Sequence, residues 1–484
     1  MNYKMIGRIL SWILLLEAAF MTPALVISAC LGELEAVHAF ALSMGLTLAA
    51  ALVLYMVGRR ARMGLFARDG LVCVGMGWIV MSIFGGLPFW LSGAIPSFVD
   101  ALFEIVSGFT TTGASILTDV EVVPRGLLYW RSFSHWLGGM GVLVFLLAVL
   151  PLSGRNRGFT MHLLRAESPG PDVGKLVPKM RQTALILYVL YILLTVLNVG
   201  FLLAGGMSLF DAVCTAFGTA GTGGFGVRND SIAGYSPYLQ NVCTIFMFLF
   251  GVNFNIYYLL VMRKFGAVAR DDELRLYVGV ALVSAALITL DIRDMYSTWS
   301  ESIRHATFQV SSIMTTTGFA TTDFDLWPSF SKSILLVLMV IGASAGSTGG
   351  GIKCSRVLLL FKLLHRNINQ VLHPHNVQSI RMNGHVMDEK VLEKTNAYLA
   401  AYVTIVLISF MVVSLDGLSI TTNFTAVLSC FNNVGPGLEL VGPVRNYSMF
   451  SNLAKLVLIF DMLAGRLEIF PILLLMTRRT WQQW

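Results

Sequence analysis

Thr110-Thr111-Thr112-Gly113 returns as Thr315-Thr316-Thr317-Gly318, and looser forms stand at Thr219-Ala220-Gly221-Thr222-Gly223 and Asn432-Asn433-Val434-Gly435. Each follows a short segment of mixed polarity and precedes a long apolar one. Backbone that is not helical is tolerated at membrane depth only where it is buried in protein or lines water. Four such turns therefore point to four contributions to one pore. Glycine supplies the dihedrals that aim successive carbonyls the same way, and a ring of carbonyls from four loops is how a protein replaces the hydration shell of K⁺.

The surrounding composition fits that setting. The chain has 484 residues, 56% hydrophobic and 13% charged, against about 25% charged in soluble domains. It reads as an all-α integral membrane protein. Its basic excess sits in short loops, which is a topology signal and does not imply nucleic acid. Cys30, Cys73, Cys214, Cys243, Cys354 and Cys430 show no Cys-x-x-Cys spacing and read as small buried hydrophobes. Ile27-Ser28-Ala29-Cys30 resembles a lipoprotein cleavage box, but the apolar run before it is longer than a signal core of about 7–15 residues. A retained first helix is expected.

Ten apolar runs are long enough to span a bilayer: 9–30, 37–57, 71–91, 127–150, 184–203, 239–261, 276–290, 334–361 (interrupted), 398–415 and 453–476. Basic residues then fall mostly on one side. These are Lys4, Arg8, the cluster from Arg59 to Arg68, the stretches Arg155 to Arg181, Arg263 to Arg275 and Lys362 to Lys394, and Arg478 and Arg479. The bias predicts that both termini are cytoplasmic.

Between spans, the segments 97–112, 211–218, 302–314 and 423–431 are too short to cross and too apolar for exposed loops. They are expected to be half-helices that enter from outside and end in the four turns. Asp100, Asp211 and Asn423 are candidate N-caps. The unit of span, half-helix, turn and span recurs four times, around a pseudo-fourfold axis. The expected divisions are two extra N-terminal helices (1–68) and repeats at 69–180, 181–272, 273–390 and 391–484. Each half-helix would direct its negative C-terminal dipole end to the axis. Asp119, Asp230, Asp323, Asp325 and Glu439 follow the turns and would form an acidic outer mouth that concentrates cations; ordinary solvated loop charge is the alternative.

Gly221-Thr222-Gly223-Gly224-Phe225-Gly226 matches Gly-x-Gly-x-x-Gly but lacks the strand that a dinucleotide fold requires. Gly346-Ser347-Thr348-Gly349-Gly350-Gly351-Ile352-Lys353 lacks the Gly-Lys-Ser/Thr of a phosphate loop. The ten residues Gly342-Ala343-Ser344-Ala345-Gly346-Ser347-Thr348-Gly349-Gly350-Gly351 cannot hold a helix. They are expected to form an intramembrane loop across the pore, with a small-residue packing face as the alternative. Arg466 lies inside the last span. It is either a positive charge below the turns or half of a salt bridge with Asp461 or Glu468. Lys353 is a weaker parallel. Glu104 reads as a structural hydrogen-bond partner, and His135 as a packed polar residue.

In combination these features resemble the Trk/Ktr/HKT potassium transporters, and the two leading helices make the chain most similar to the bacterial TrkH/TrkG-type membrane subunits. The resemblance covers essentially the whole chain. It implies K⁺ uptake across the bacterial inner membrane through a selectivity filter. Its glycines would be Gly113, Gly223, Gly318 and Gly435, with K⁺ on the backbone carbonyls of Thr111, Thr112, Thr222, Thr316, Thr317, Asn433 and Val434. It implies a gate at 342–351 with Arg466 as constriction. Glycine at 113, where serine goes with Na⁺ preference, implies K⁺ selectivity. A homodimer and a cytosolic nucleotide-binding (RCK/KTN-type) regulatory subunit are also implied. That subunit would carry any NAD or ATP/ADP, with no cofactor in this chain. The basic loops 155–181 and 362–394 are candidate docking surfaces, which membrane-surface charge explains equally. The glycine-rich second turn departs from the first and third.

Two other functions remain open. One is Na⁺, K⁺/Na⁺ or proton-coupled symport. The other is a membrane-embedded enzyme, which would need a compact acid/base or metal constellation that the dispersed His and acidic residues do not offer.

Overall fold

The computed structural model describes residues 1–59, 61, 67–139, 141, 180–375 and 378–482. The far end of the fourth expected span, 142–150, and most of the basic stretch at 155–181 lie outside the described residues. The described chain is mostly helical, with one two-stranded hairpin, Arg381–Met382 paired with His385–Val386. Among the described residues, six helices are long and apolar enough to cross a membrane: Tyr3–Leu31, Leu34–Gly58, Arg68–Leu91, Leu185–Ala204, Asp272–Asp291 and Glu389–Asp416. The pair Pro237–Phe250 and Phe254–Val261 makes a seventh if its 89° bend counts as one span.

Four shorter helices stand at the expected half-helix positions: Phe98–Phe109, Leu209–Gly221, Trp299–Met314 and Ile420–Asn432. Their caps differ from expectation. Ser97, Ser208, Thr298 and Ser419 occupy the cap and accept from the backbone N–H of Asp100, Asp211, Glu301 and Thr422 at 3.4, 3.2, 3.2 and 3.1 Å. Asp100, Asp211 and Asn423 are therefore not N-caps. A hydroxyl on extended backbone reaches the N–H three residues on. The acid at that third position instead favours the positive end of the helix dipole.

Each half-helix packs against the helix that follows it and against the helix that follows the half-helix before it. Phe98–Phe109 lies against Arg125–Gly139 and Asn452–Arg466, and Leu209–Gly221 against Pro237–Phe250 and Arg125–Gly139. Trp299–Met314 lies against Ser329–Ile341 and Pro237–Phe250, and Ile420–Asn432 against Asn452–Arg466 and Ser329–Ile341. The contacts thus run from the first half-helix to the fourth and back to the first.

The helices that follow the half-helices are broken more often than the sequence suggested. The expected break at 342–351 is present, between Ser329–Ile341 and Cys354–Leu372. Two runs expected to be continuous also break. Pro237–Phe250 stops at Gly251, which fits closely against the Tyr277 hydroxyl and the Thr315 side chain. The next helix starts where the Asn253 side chain caps the Asn255 N–H at 3.0 Å. Asn452–Arg466 is separated from Phe470–Met476 by Glu468 and Ile469, with φ of 55° and 70°. Such breaks free backbone carbonyls at membrane depth, and those carbonyls need partners. Five of the six cysteines are buried; Cys30 is exposed, contrary to expectation.

Candidate functional site

The four half-helices end in one shared backbone form. Thr111, Thr222, Thr316 and Asn433 are left-handed, with φ of 56°, 56°, 60° and 54°. The next residues, Thr112, Gly223, Thr317 and Val434, donate N–H to the carbonyls of Ser107, Gly218, Ser312 and Ser429 at 2.8, 2.9, 2.8 and 3.0 Å. A glycine with positive φ follows each: Gly113 at 82°, Gly224 at 74°, Gly318 at 83° and Gly435 at 100°. The second turn therefore uses Gly224, where spacing alone pointed to Gly223. Gly223 occupies the place of Thr112, Thr317 and Val434. The adjacent pair Gly223-Gly224 permits either register, and the end of the half-helix chooses between them. A side chain at Gly223 would run into the His135 imidazole.

The glycines bring the turns together as a ring. A Cβ on Gly113 would overlap the carbonyl oxygen of Gly223, and one on Gly224 that of Thr317. One on Gly318 would overlap the carbonyl oxygen of Val434, and one on Gly435 would lie 2.7 Å from that of Thr112. Every glycine abuts the carbonyl preceding its counterpart in the next turn, and the fourth turn closes on the first. Hydroxyls stiffen two of the corners. Thr110 and Thr315 bond back to the carbonyls of Val106 and Ser311 at 2.6 and 2.7 Å, and sideways to Thr112 and Thr317 at 2.8 and 2.7 Å. The Asn433 amide bridges to the Thr112 hydroxyl at 3.0 Å. Thr111, Thr112, Thr222, Thr316, Thr317 and Asn433 are fully buried.

A polar layer props the ring from behind. Glu104 is buried and pairs with Arg131 at 2.6 Å. It also accepts from the Ser115 hydroxyl and the Ile116 N–H, both at 2.9 Å, just past the first turn. Arg131 reaches the Gly226 carbonyl at 3.0 Å and lies 3.5 Å from the Phe225 ring centroid, just past the second turn. His135 holds the Gly108 carbonyl at 2.7 Å with Nδ1 and the Phe225 N–H at 3.2 Å with Nε2. Glu104 is the hydrogen-bond partner, and His135 the packed polar residue, that the sequence suggested.

Beneath the ring, the loop and Arg466 meet. The Gly350 N–H donates to the Thr316 hydroxyl at 2.6 Å, and the Gly351 N–H to the Asn432 carbonyl at 3.1 Å. Ser344 N–H and Thr348 Oγ1 satisfy the freed carbonyls of Gly251 and Phe250 at 3.1 and 3.3 Å. Arg466 donates to the Thr348 carbonyl at 2.7 Å and to the Gly138 and Gly139 carbonyls at 2.5 and 2.7 Å. It thereby ties the loop to the C-terminal end of Arg125–Gly139, where the dipole favours a cation. Glu468 pairs with Arg356 at 2.5 Å, and Asp461 accepts from Ser409 at 2.6 Å. Lys353 Nζ donates to the Gly349 carbonyl. Buried Glu273 accepts from the N–H of Ala345, within the loop, at 2.6 Å and of Ser355, at the start of the next helix, at 3.0 Å.

Four of the five acids that follow the turns are individually engaged. Asp119 accepts from the Asn229 amide at 2.8 Å, which holds its carboxyl below the usual range. Glu439 accepts from the hydroxyls of Ser419 and Thr422, with the same effect on its carboxyl. Asp323 caps the short turn Phe324–Leu326, and Asp325 lies 4.0 Å from Lys332. A cavity of about 550 Å³ near the first two turns is lined by acids (Glu121, Asp211, Asp230) and bases (Arg125, Arg228) together.

A family model described as TrkH, cation transport protein, matches residues 38–289 and 291–482. The chain belongs to the TrkH family. The family is one of transporters and not of enzymes. The chain is 35% identical to the Trk system potassium uptake protein TrkH of Salmonella typhimurium over 490 residues, 100% of both chains. It is 34% identical to the potassium uptake protein TrkG of Escherichia coli, over 88% of this chain and 87% of that one. Among solved structures it is similar to the potassium transporter TrkH from Vibrio parahaemolyticus, with TM-score 0.87, 30% identity and full coverage of both chains.

Sequence reasoning missed three features of the site. Glu273 looked like an ordinary acid ahead of an apolar run, and nothing local marks its bonds to residues 72 and 82 positions away. The break at Gly251 had one signal, Gly251-Val252-Asn253 within an apolar stretch. The break after Arg466 had none beyond the charges of Arg466 and Glu468.

Proposed function

We propose that this TrkH-family chain carries K⁺ across the bacterial inner membrane through the ring of four turns, arranged about a pseudo-fourfold axis and crossed by ten spans. The observation that carries the reading is the closed contact of each glycine with the carbonyl of the next turn. Successive carbonyls from residues 111–112, 222–223, 316–317 and 433–434 are available as ligands, and four half-helix C-termini add negative potential at the same place. The driving force is the membrane potential, about 2.3 kcal/mol per charge per 100 mV.

The loop at 342–351 acts as the gate. Its backbone is fastened to Thr316 and Asn432 above, to Arg466 and to Glu273. Arg466 sets the barrier to cations below the ring, and Glu273 is the anchor from which the loop moves. The one-sided bias of basic residues supports cytoplasmic termini. The resemblance extends the proposal to a homodimer with one pore per protomer and a cytosolic nucleotide-binding regulatory subunit.

The test is ⁸⁶Rb⁺ and ²²Na⁺ uptake in cells without other K⁺ systems, with the regulatory subunit co-expressed. Preferential Rb⁺ uptake is expected. No uptake of either ion by correctly inserted protein would overturn the proposal.

A further inference from the structure

The four turns differ at the level of their closing glycines. The gate loop meets early residues of the turns, Thr316 and Asn432, so the carbonyls of those glycines lie farthest from it. The carbonyls of Gly113, Gly224 and Gly318 accept no hydrogen bond among the described residues. The Gly435 carbonyl accepts from the Tyr447 hydroxyl at 2.7 Å. Tyr235, a phenol that follows the second turn, instead donates to Asp211 at 3.1 Å.

Tyr447 is fixed independently of that carbonyl. Its N–H donates to the Ser115 carbonyl at 2.8 Å, just past the first turn. Its aromatic ring lies 5.6 Å from that of Phe103 in the first half-helix and 5.9 Å from that of Phe450, and the residue is buried. The hydroxyl thus reaches the fourth turn from a side chain seated on the first. The fourth turn departs from the others at the same place. Gly435 has a φ of 100°, against 74–83° at the other three glycines. A Cβ on Gly113, Gly224 or Gly318 would overlap the adjoining carbonyl oxygen, whereas one on Gly435 would lie 2.7 Å from that of Thr112. The junction of the fourth turn with the first is the looser corner.

We propose that Tyr447 is a specificity-determining residue of the cation pathway: its hydroxyl withdraws the Gly435 carbonyl, so that the outermost cation site is built from three glycine carbonyls, with water on its fourth side. The inference rests on the reading of the ring as the K⁺ pathway, and it adds a level outside the carbonyls named there. A carbonyl that accepts from a buried hydroxyl at normal bonding distance is aimed at that donor and spends part of its field on it. Selection between K⁺ and Na⁺ depends on the number and field strength of the carbonyl dipoles around the ion. A site of three carbonyls leaves part of the hydration shell in place. It holds K⁺ weakly enough to pass it to the levels beneath, as conduction requires. All four glycines still close the ring through their contacts with neighbouring turns; only their own carbonyls differ.

The test is the kinetics of ⁸⁶Rb⁺ uptake, with Na⁺ as competitor, by the full-length protein and its variants in cells without other K⁺ systems. Tyr447→Phe keeps the aromatic ring and the backbone bond to Ser115 and removes only the hydroxyl. The freed carbonyl joins the site, so KM for Rb⁺ should fall about fivefold, the worth of one hydrogen bond, and the Rb⁺/Na⁺ ratio should rise. Phe450→Leu loosens the seat of Tyr447 but keeps its hydroxyl, and should leave KM at the parent value. An unchanged KM and ratio in Tyr447→Phe would overturn the inference. So would the same shift in Phe450→Leu, or failure of Tyr447→Phe to insert, since either makes Tyr447 a packing residue. Thermal melts of the purified proteins, titrated with KCl and with NaCl, read ion binding without transport. There the K⁺ midpoint of Tyr447→Phe should fall likewise, and an unchanged midpoint would overturn the inference. A parent that takes up no Rb⁺ counts against the K⁺ reading, and the melts then decide the role of Tyr447 alone.

Discussion

The ring of turns and the loop beneath it are both built from small residues, yet they are held in opposite ways. Each turn takes a backbone bond from its own half-helix, five residues back, and two of the turns add hydroxyls at their own corners. The loop takes many of its bonds from far along the chain: Thr316, Glu273 and Arg466 lie 34, 72 and 118 residues from their loop partners. A structure fixed by its own neighbours is rigid by construction. One suspended from distant anchors can shift when any anchor shifts. Under the proposed function, the same contrast would separate selectivity, which needs fixed carbonyls, from gating, which needs two positions.

Substitutions in the two regions should therefore fail differently. The largest effect is expected for Gly318→Ala, which forces a Cβ onto the Val434 carbonyl at a φ of 83°. Rb⁺ uptake per inserted molecule should drop to background, and near-normal uptake would show that the ring does not need this close approach. Glu104→Ala should come next. It leaves Arg131 buried without its partner, a change that costs about 3–5 kcal/mol. The melting temperature of the purified protein should fall, and an unchanged one would remove the Glu104–Arg131 pair from the support of the ring.

For the loop, selectivity should survive while flux changes. Arg466→Ala should raise Rb⁺ flux at an unchanged Rb⁺/Na⁺ ratio; a changed ratio would place Arg466 in selection rather than gating. Glu273→Ala leaves two buried N–H groups unbonded at about 1–3 kcal/mol each and should raise basal flux. Glu273→Gln keeps an accepting oxygen and should restore the parent value. Equal defects in both variants would argue for a folding role.

The smallest effect belongs to the outer rim. The Glu439 carboxyl is held below its ordinary range by hydroxyls. Its contribution is thus fully present above the unfolded carboxylate range and is lost as pH falls through the lowered value. Glu439→Gln should flatten stability slightly on the acid side only, in thermal melts between about pH 6 and 3, the range spanning the carboxylate values.

Legibility in the sequence followed the same division. The turns were visible because hydroxyl-and-glycine repeats recur with a short apolar segment before each. The half-helices were visible because they are apolar yet too short to span. Their caps are less legible, because Asp100 and Asp211, good capping residues themselves, stand three residues inside the Ser that does the capping. The choice between Gly223 and Gly224 is not legible, because the register depends on where the helix hydrogen bonds end, which two adjacent glycines conceal. The loop could be located from its ten small residues, but its anchors could not, since tertiary contacts brought Glu273 and the Gly251 break to it. Arg466 was legible as a charge at membrane depth; its carbonyl partners were not.

The central claim is that four equivalent glycines, 113, 224, 318 and 435, form one cation-selecting ring. The most direct test is the K⁺/Na⁺ reversal potential of proteoliposomes carrying Gly113→Ser or Gly224→Ser. If the claim holds, both variants shift the potential toward Na⁺ to a similar extent. A shift for Gly113→Ser with none for Gly224→Ser would contradict the ring.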